Sequence, residues 1–262
     1  MRALHTAATG MMAQELNVQV ISNNIANMRT TGYKRQRAEF QDLLYEQLRR
    51  VGTQTSTQGN ILPVGIELGG GVKTVGTPRL MSQGTLSQTG NPLDLAIRGE
   101  GFFQILLPDG RTAYTRDGSF QLDAQGRIVN AQGNVVQPGI TIPQNAQNLT
   151  INSQGQVSVT VGTDTTPTQL GQLQMTIFIN KAGLAAIGDN LFLETPASGP
   201  PQNGTPASDG YGDLQQANLE NANVEAVTEI SDLIAAQRAY EMNSKVITAS
   251  DQMLQTTSQL MR

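Results

Sequence analysis

The sequence predicts an α+β fold, with N- and C-terminal helices paired as a coiled-coil-like domain and a central antiparallel β domain between them in the chain. Three observations predict it. Of the 27 glycines, 25 lie between Gly52 and Gly212, and all 11 prolines lie between Pro63 and Pro206, so both ends are nearly free of helix breakers. Both ends also carry apolar residues on a heptad repeat, the signature of helices that pack along a seam. The middle alternates short apolar runs with Gly-containing turn signals.

At the N-terminus, Leu4, Ala7, Met11, Val18, Ile21 and Ile25 form the stripe, with Gln14 as its polar interruption. The helix is expected to end near Met28, because Arg29-Thr30-Thr31-Gly32-Tyr33 combines β-branched residues with a turn-forming Gly. Residues 34–48 mix Lys34, Arg35 and Arg37 with Phe40, Leu43, Leu44 and Leu48 and read as partly helical or extended. Residues 51–76, rich in Gly, Thr, Gln and Ser and holding the triplet Gly69-Gly70-Gly71, read as hairpin or linker.

From Val72 to about Leu193, turn signals such as Asp109-Gly110, Asp117-Gly118, Asp123-Ala124-Gln125-Gly126 and Asn152-Ser153-Gln154-Gly155 divide the chain. Gly in these turns supplies the positive φ of tight hairpins. The intervening runs predict strands at Phe102–Leu107, Ser119–Leu122, Arg127–Val129, Asn134–Val136, Leu149–Ile151, Gln156–Val161 and Leu173–Ile179. Pro196–Gly212 reads as a loop leading to the C-terminal helix. The expected division is 1–30 plus 220–262 for the helical domain, 31–75 for an arm and 76–219 for the β domain.

The last forty residues, roughly Asn223–Arg262, contain no Gly or Pro and read as one helix. Its apolar residues recur as doublets: Ala226/Val227, Leu233/Ile234, Ala239/Tyr240, Val246/Ile247, Met253/Leu254 and Leu260/Met261. Asn223 is the expected N-cap. Glu220, Glu225, Glu229 and Asp232 crowd its start as the macrodipole favours, and Glu241 with Lys245 forms an i,i+4 pair.

Magnitudes bear on what these helices need. Fixing backbone costs roughly 1–2 kcal/mol per residue, whereas a fully buried large apolar side chain returns roughly 1.5–3 kcal/mol. Two helices that bury one narrow seam each are therefore marginal. They are expected to be poorly ordered in the monomer and to become helical on bundling between subunits. The assembly residues are then Leu4, Ala7, Met11, Val18, Ile21, Asn24, Ile25 and Asn27 on the first helix. On the second they are Ile230, Leu233, Ile234, Gln237, Arg238, Tyr240, Asn243, Val246, Ile247, Met253, Leu254 and Leu260.

Composition narrows function further. A net charge of −4 and a pI near 5.0 give no basic field for nucleic acid and no polybasic run for an anionic membrane. No stretch approaches the ~18–20 apolar residues that span a bilayer, and His5, Thr6, Thr9 and Gly10 interrupt any secretory signal at the N-terminus. The chain has no Cys and one histidine, His5, without a supporting acid cluster, so no metal site, cofactor or catalytic triad is expected. Asp94, Glu100, Asp109, Asp117 and Asp123 could supply paired carboxylates for glycoside hydrolysis, but turn chemistry accounts for most of them. A secreted β-rich glycan-binding adhesin or glycan-acting enzyme is the second reading, and 4% aromatics with no Trp weigh against it, because a sugar platform favours stacked aromatic rings.

The motifs carry a resemblance. Ser22-Asn23-Asn24-Ile25-Ala26-Asn27 followed by Thr30-Thr31-Gly32-Tyr33-Lys34-Arg35 resembles the N-terminal signature of the bacterial flagellar rod and hook protein family. Asn91-Pro92-Leu93-Asp94-Leu95-Ala96-Ile97, Gly99-Glu100-Gly101-Phe102-Phe103 and Tyr114-Thr115-Arg116-Asp117-Gly118-Ser119-Phe120 resemble its β-domain motifs, and Ala236–Lys245 its C-terminal motif. Length, the Gly-rich segment before Leu80 and Gln172–Glu194 resemble the distal-rod branch, with hook or proximal rod as alternatives. The resemblance implies a non-enzymatic subunit of a helical tube, with paired helices inside and the β domain outside. It implies export through the flagellum's own channel into the periplasmic space of the basal body. The implied partners are further copies of the chain, proximal rod proteins, hook protein, the rings of the peptidoglycan and outer membrane, and the export apparatus. It also implies that Glu46–Thr77 contributes to a straight, rigid tube. The family-motif residues carried over are Thr31, Gly32, Tyr33, Lys34, Asn91, Pro92, Asp94, Gly99, Gly101, Phe102, Phe103, Asp117 and Gly118.

Overall fold

The computed structural model describes residues 2–50, 64–161 and 166–260. Residues 51–63 of the segment 51–76 expected to be hairpin or linker, and Met261 of the last doublet, lie outside them. The chain divides into two compact units. The first comprises Met1–Ile25, Gln36–Pro78 and Glu225–Arg262, and the second Ala26–Arg35 and Arg79–Val224. Instead of one arm at 31–75, residues 26–35 thus go with the β strands and 36–78 with the helices.

The helical unit is built from helix α1 (Arg2–Ala26), a β ribbon and helix α2 (Ala226–Leu260). Residues 34–48, left between helix and strand by their composition, contain two strands and no helix. Glu39–Asp42 pairs antiparallel with Val72–Gly76, and Tyr45–Arg49 with Ile66–Gly69. The two pairings join into one ribbon, because the Leu43 N–H donates to Gly71 O at 2.8 Å and the Gly70 N–H to Leu44 O at 3.2 Å. Gly71, at φ +111, lies against Thr9 of α1, which leaves no room for a side chain. The ribbon's outer strands are exposed throughout, and an isolated two-stranded ribbon is marginal in water.

In the β unit, strand Phe102–Leu106 is the hub. On one edge it pairs with Thr112–Thr115, and on the other with Val135–Val136 and Met175–Ile177, all antiparallel. The nine-stranded sheet extends outward through Leu191–Leu193 to Ala185–Gly188 on one side and through Ile128–Val129 to Gln121–Leu122 on the other. A three-stranded sheet of Ala146–Ile151, Gln156–Val161 and Thr168–Gln172 packs with it around Phe103, Ile105, Phe120, Val157, Val159, Leu173 and Met175. A second cluster of Phe102, Tyr114, Phe178 and Phe192 meets edge to face, with ring centroids 4.8 to 6.2 Å apart. The expected strands are present but mostly shorter, because the turn residues at their ends point side chains back into their own turns. Asp109, Asp123, Asn130 and Asn152 each accept backbone N–H bonds from two to four residues ahead.

Two short pairs complete this unit: Leu95–Arg98 with Asp213–Gln216, and Leu86–Gln88 with Asn218–Glu220. Residues just ahead of α2 are thus woven into the sheet system. This overturns the reading of Asn223 as a helix N-cap: α2 begins at Ala226. The Asn223 side chain instead accepts from the Arg35 N–H at 2.7 Å and donates to Leu80 O at 2.8 Å. Glu220, expected to serve the helix dipole, is a strand residue. Helix α1 ends at Ala26 rather than near Met28, followed by a turn in which the Thr30 N–H donates to Asn27 O.

Candidate assembly site

Helices α1 and α2 run antiparallel: from Leu4 through Gly10 to Asn24, α1 faces α2 from Ser250 through Asn243 to Glu229. The contact line differs from the apolar doublets. On α2 the buried residues are Glu229, Ala236 and Ser250, with half-buried Asn243 continuing the same seven-residue step. The Asn243 side chain packs on Gly10 of α1, where a Cβ would come within 2.9 Å of its amide. Small residues let the two backbones approach closely, and the seam combines buried Ala7, Ala13, Val20, Ile21 and Ala236 with a hydrogen bond between Asn24 and Glu229.

Its best-formed point is at Asn24. The amide Nδ2 donates to Gln36 O at 2.9 Å and to Glu229 Oε2 at 3.2 Å, while Oδ1 accepts from the Gln36 N–H at 3.0 Å. Asn24 and Glu229 are 1% and 0% exposed. Glu229 is therefore a core residue of the pair, not a solvated acid at the helix start. The ribbon joins the same unit through the Val72 N–H to Thr9 Oγ1 and through Arg2 to Glu46 at 2.7 Å.

The first four α2 doublets are split by this geometry, whereas Met253 and Leu254 are both exposed. Ala226, Leu233, Ala239 and Ile247 are half-buried towards the pair, while Val227, Ile234, Tyr240 and Val246 are exposed. Ile230, Gln237, Arg238, Met253, Leu254 and Leu260 are exposed too. On α1, Ala7, Ile21 and Asn24 are buried, and Leu4, Met11, Val18 and Ile25 are half-buried. The helix pair thus leaves a long apolar strip on α2 uncovered, larger than the scattered apolar residues a monomer surface ordinarily shows. Among the described residues no helix is long and apolar enough to cross a membrane.

The family-motif residues are gathered in the β unit. Gly32, at φ +66, packs against the Arg116–Asp117 backbone and donates its N–H to Glu220 O at 2.8 Å. Thr31 donates to Asp117 Oδ1 at 2.9 Å, and Asn190 donates to Thr31 O at 3.0 Å. Tyr33 is buried and Asn27 half-buried. Asn91 and Pro92 form an exposed turn capped by Asp94, whose carboxylate accepts from Thr89 and Asn91. Gly99 and Gly101 both take positive φ, Gly99 facing Gly212 and Gly101 facing Met175. Phe102 and Phe103 enter the two core clusters, and Gly118 lies against Leu95 O.

Sequence reasoning missed the centre of this arrangement. Lys34, Arg116 and Glu220 are buried with side chains 1%, 2% and 0% exposed. Lys34 Nζ donates to Glu220 Oε1 at 2.6 Å and to Ser82 O at 2.8 Å. Arg116 Nη1 donates to Glu220 Oε2 at 3.3 Å and Nη2 to Gly99 O at 2.6 Å, with the guanidinium 5.5 Å from the Phe102 ring centroid. Glu220 Oε1 also accepts from the Gly84 N–H at 2.8 Å. Burial pushes the Lys34 ammonium below its ordinary pKa, opposed by the Glu220 carboxylate, and burial lowers Arg116 in the same way. The one sequence signal was that Lys34 and Arg116 stand in the family motifs, while Glu220 was read as an acid at the start of the C-terminal helix.

Models of known protein families match three stretches of the chain. The model for "Flagella basal body rod protein" matches residues 4–34, that for "Flagellar hook protein FlgE/F/G D1 domain" matches 96–159, and that for "Flagellar basal body rod FlgEFG protein C-terminal" matches 215–260. The chain is 58% identical over 260 residues to the flagellar basal-body rod protein FlgG of Caulobacter vibrioides, covering 99% of each chain. It is 52% identical to that of Agrobacterium fabrum over 98% of each chain, and 37% identical to that of Bacillus subtilis over 100% of each.

Proposed function

The chain belongs to the FlgG family of flagellar basal-body rod proteins and is a structural subunit of the distal rod, and we propose that its copies polymerise into a rigid, straight helical tube that transmits torque from the motor to the hook. The observation that carries the mechanism is the uncovered apolar strip of α2 beside a seam that is already closed. Each large apolar side chain moved fully out of water returns about 1.5–3 kcal/mol, so neighbouring helix pairs stabilise one another where a single pair cannot. Ile230, Ile234, Tyr240, Val246, Met253, Leu254 and Leu260 are the exposed residues assigned to that contact, with the α1 stripe contributing from the other helix. The rod sits in the basal body and crosses the periplasmic space, reached through the flagellum's own export channel. Proximal rod, hook, the surrounding rings and the export apparatus are its neighbours on this reading.

The test separates folding from assembly. Ile234 and Val246 are 45% and 46% exposed, so Ile234→Asp/Val246→Asp is expected to leave the subunit's thermal transition unchanged while sedimentation and electron microscopy show no polymer. Tubes formed at the natural protein's critical concentration would remove this surface from the interface. Assembly also orders the helices: amide exchange at residues 2–25 and 226–260 is expected to be fast in dilute subunits and slow in the polymer. Equal protection in both states would sink that coupling.

The ribbon is assigned the stiffening role. A strand pair exposed on both faces needs cover, and a contact arm reaching a neighbouring subunit opposes the sliding that bending requires. Because Leu43 and Gly71 are already hydrogen-bonded, residues 44–70 can be replaced by Asn-Gly to close a short hairpin. The expected product still polymerises but forms tubes of lower persistence length in micrographs. Tubes as straight as the natural ones would show that stiffness comes from elsewhere.

A further inference from the structure

The Lys34–Glu220–Arg116 cluster is drawn from three distant parts of the chain, and Glu220, the buried anion that Lys34 and Arg116 share, arrives last. Lys34 lies in the segment after α1, Arg116 follows strand Thr112–Thr115, and Glu220 ends the last strand before α2. The other acid near the cluster, Glu100, is half exposed, stands 4.0 Å from Arg116 and is paired with Lys181. Until residue 220 is present, closing the β unit buries two cations with only the half-exposed, Lys181-paired Glu100 near them among the described residues, which low-dielectric surroundings oppose strongly.

We infer that this cluster is a completion lock: the β unit closes only when the chain through Glu220 is present, so a partial chain stays open even though every strand of the nine-stranded and three-stranded sheets has already been made. Those strands end at Gly204. Glu220 also accepts the Gly32 N–H on its backbone and the Gly84 N–H on its side chain. It therefore ties the segments that follow α1 and precede α2 in one step. A subunit whose terminal helices carry uncovered apolar faces gains from this order, because an incomplete chain presents no folded body to which a growing polymer could commit. The inference stands on the cluster alone and does not depend on the polymer contact assigned above.

The test follows the chain during synthesis in a reconstituted translation system. Stalled chains ending at Gln216 or at Val224 carry the same unstructured linker, which holds the last residue clear of the ribosome, and are exposed to a pulse of protease. Chains ending at Val224 are expected to resist, and chains ending at Gln216 to be digested at least tenfold faster. Lys34→Met/Arg116→Met is expected to restore resistance to the Gln216 chain and to reduce it in the full-length chain, where Glu220 is then left alone. That reversal of sign distinguishes charge from packing. Resistance of the natural Gln216 chain overturns the inference. So does failure of the double variant to rescue it, which would assign the effect to the missing strand Asn218–Glu220.

Discussion

Glu220→Gln in the full-length subunit is expected to lower the stability of the β unit by about 3–5 kcal/mol, because it leaves Lys34 and Arg116 buried without their shared counter-charge. At roughly 2–4 °C per kcal/mol for a body of this size, the melting temperature falls on the order of 10 °C. Circular dichroism during a thermal or urea ramp reads it directly. Replacing all three members with apolar residues of similar volume, Lys34→Met/Arg116→Met/Glu220→Leu, is expected to recover most of the loss, since a buried ionic group is often no better than well-packed apolar side chains. The comparison pair is Arg98–Asp213, two hydrogen bonds at 2.7 and 2.9 Å with the arginine 62% exposed. Asp213→Asn is expected to leave the transition where it is. If Glu220→Gln and Asp213→Asn shift it equally, burial is not what makes the cluster matter.

Gly118→Ala is the second large effect, and its cause is steric. A Cβ on residue 118 would overlap the carbonyl oxygen of Leu95. The two backbones cannot separate freely, because the Leu95 N–H donates to Gly118 O at 3.1 Å and Leu95 itself is 1% exposed in the main core. Relief requires moving strand Leu95–Arg98 away from its partner Asp213–Gln216. The expected cost is about 3 kcal/mol or more, read as loss of a cooperative transition and accumulation of insoluble chain. Gly110→Ala is the control: φ is +83 but nothing lies within 4 Å of the added atom, so only the left-handed backbone penalty of about 1–2 kcal/mol applies. Equal damage from the two variants would mean that backbone conformation, not the Leu95 contact, decides both.

Much of the fold was legible because local rules and the tertiary structure agreed. Helices stop where Gly and Pro begin, and Asp109, Asp123 and Asn152 organise their own turns as their spacing to Gly suggests. The failures cluster where a tertiary partner overrides a local preference. Asn223 has good N-cap chemistry, yet Arg35 and Leu80 take its side chain. Glu229 looks like an acid serving the helix dipole, yet Asn24 draws it into the seam. Lys34 sits in a stretch whose composition reads as partly helical or extended, and only a carboxylate 186 residues away explains its burial. No periodicity encodes such a pair.

The helices illustrate the same limit from the other side. The heptad doublets were visible, and so were the small and polar residues between them, but a single sequence does not say which set faces the intramolecular partner. Glu229, Ala236, Asn243 and Ser250 take the inner line, and the larger doublet residues are split between the inner line and the exterior. The small and polar set was therefore the better guide to the partner within the chain.

The chain passes between its two units four times, at residues 25–26, 35–36, 78–79 and 224–225. Residues 79–224 are consequently not a transferable cassette. A chimera that exchanges that stretch between two relatives carries Arg116 and Glu220 across but leaves Lys34 behind, together with the Gly32 and Thr31 contacts to Glu220 and Asp117. Recombination within this family is thus constrained to keep residues 26–35 matched to the β strands they enter, although some fifty residues of ribbon and connecting chain separate the two in sequence.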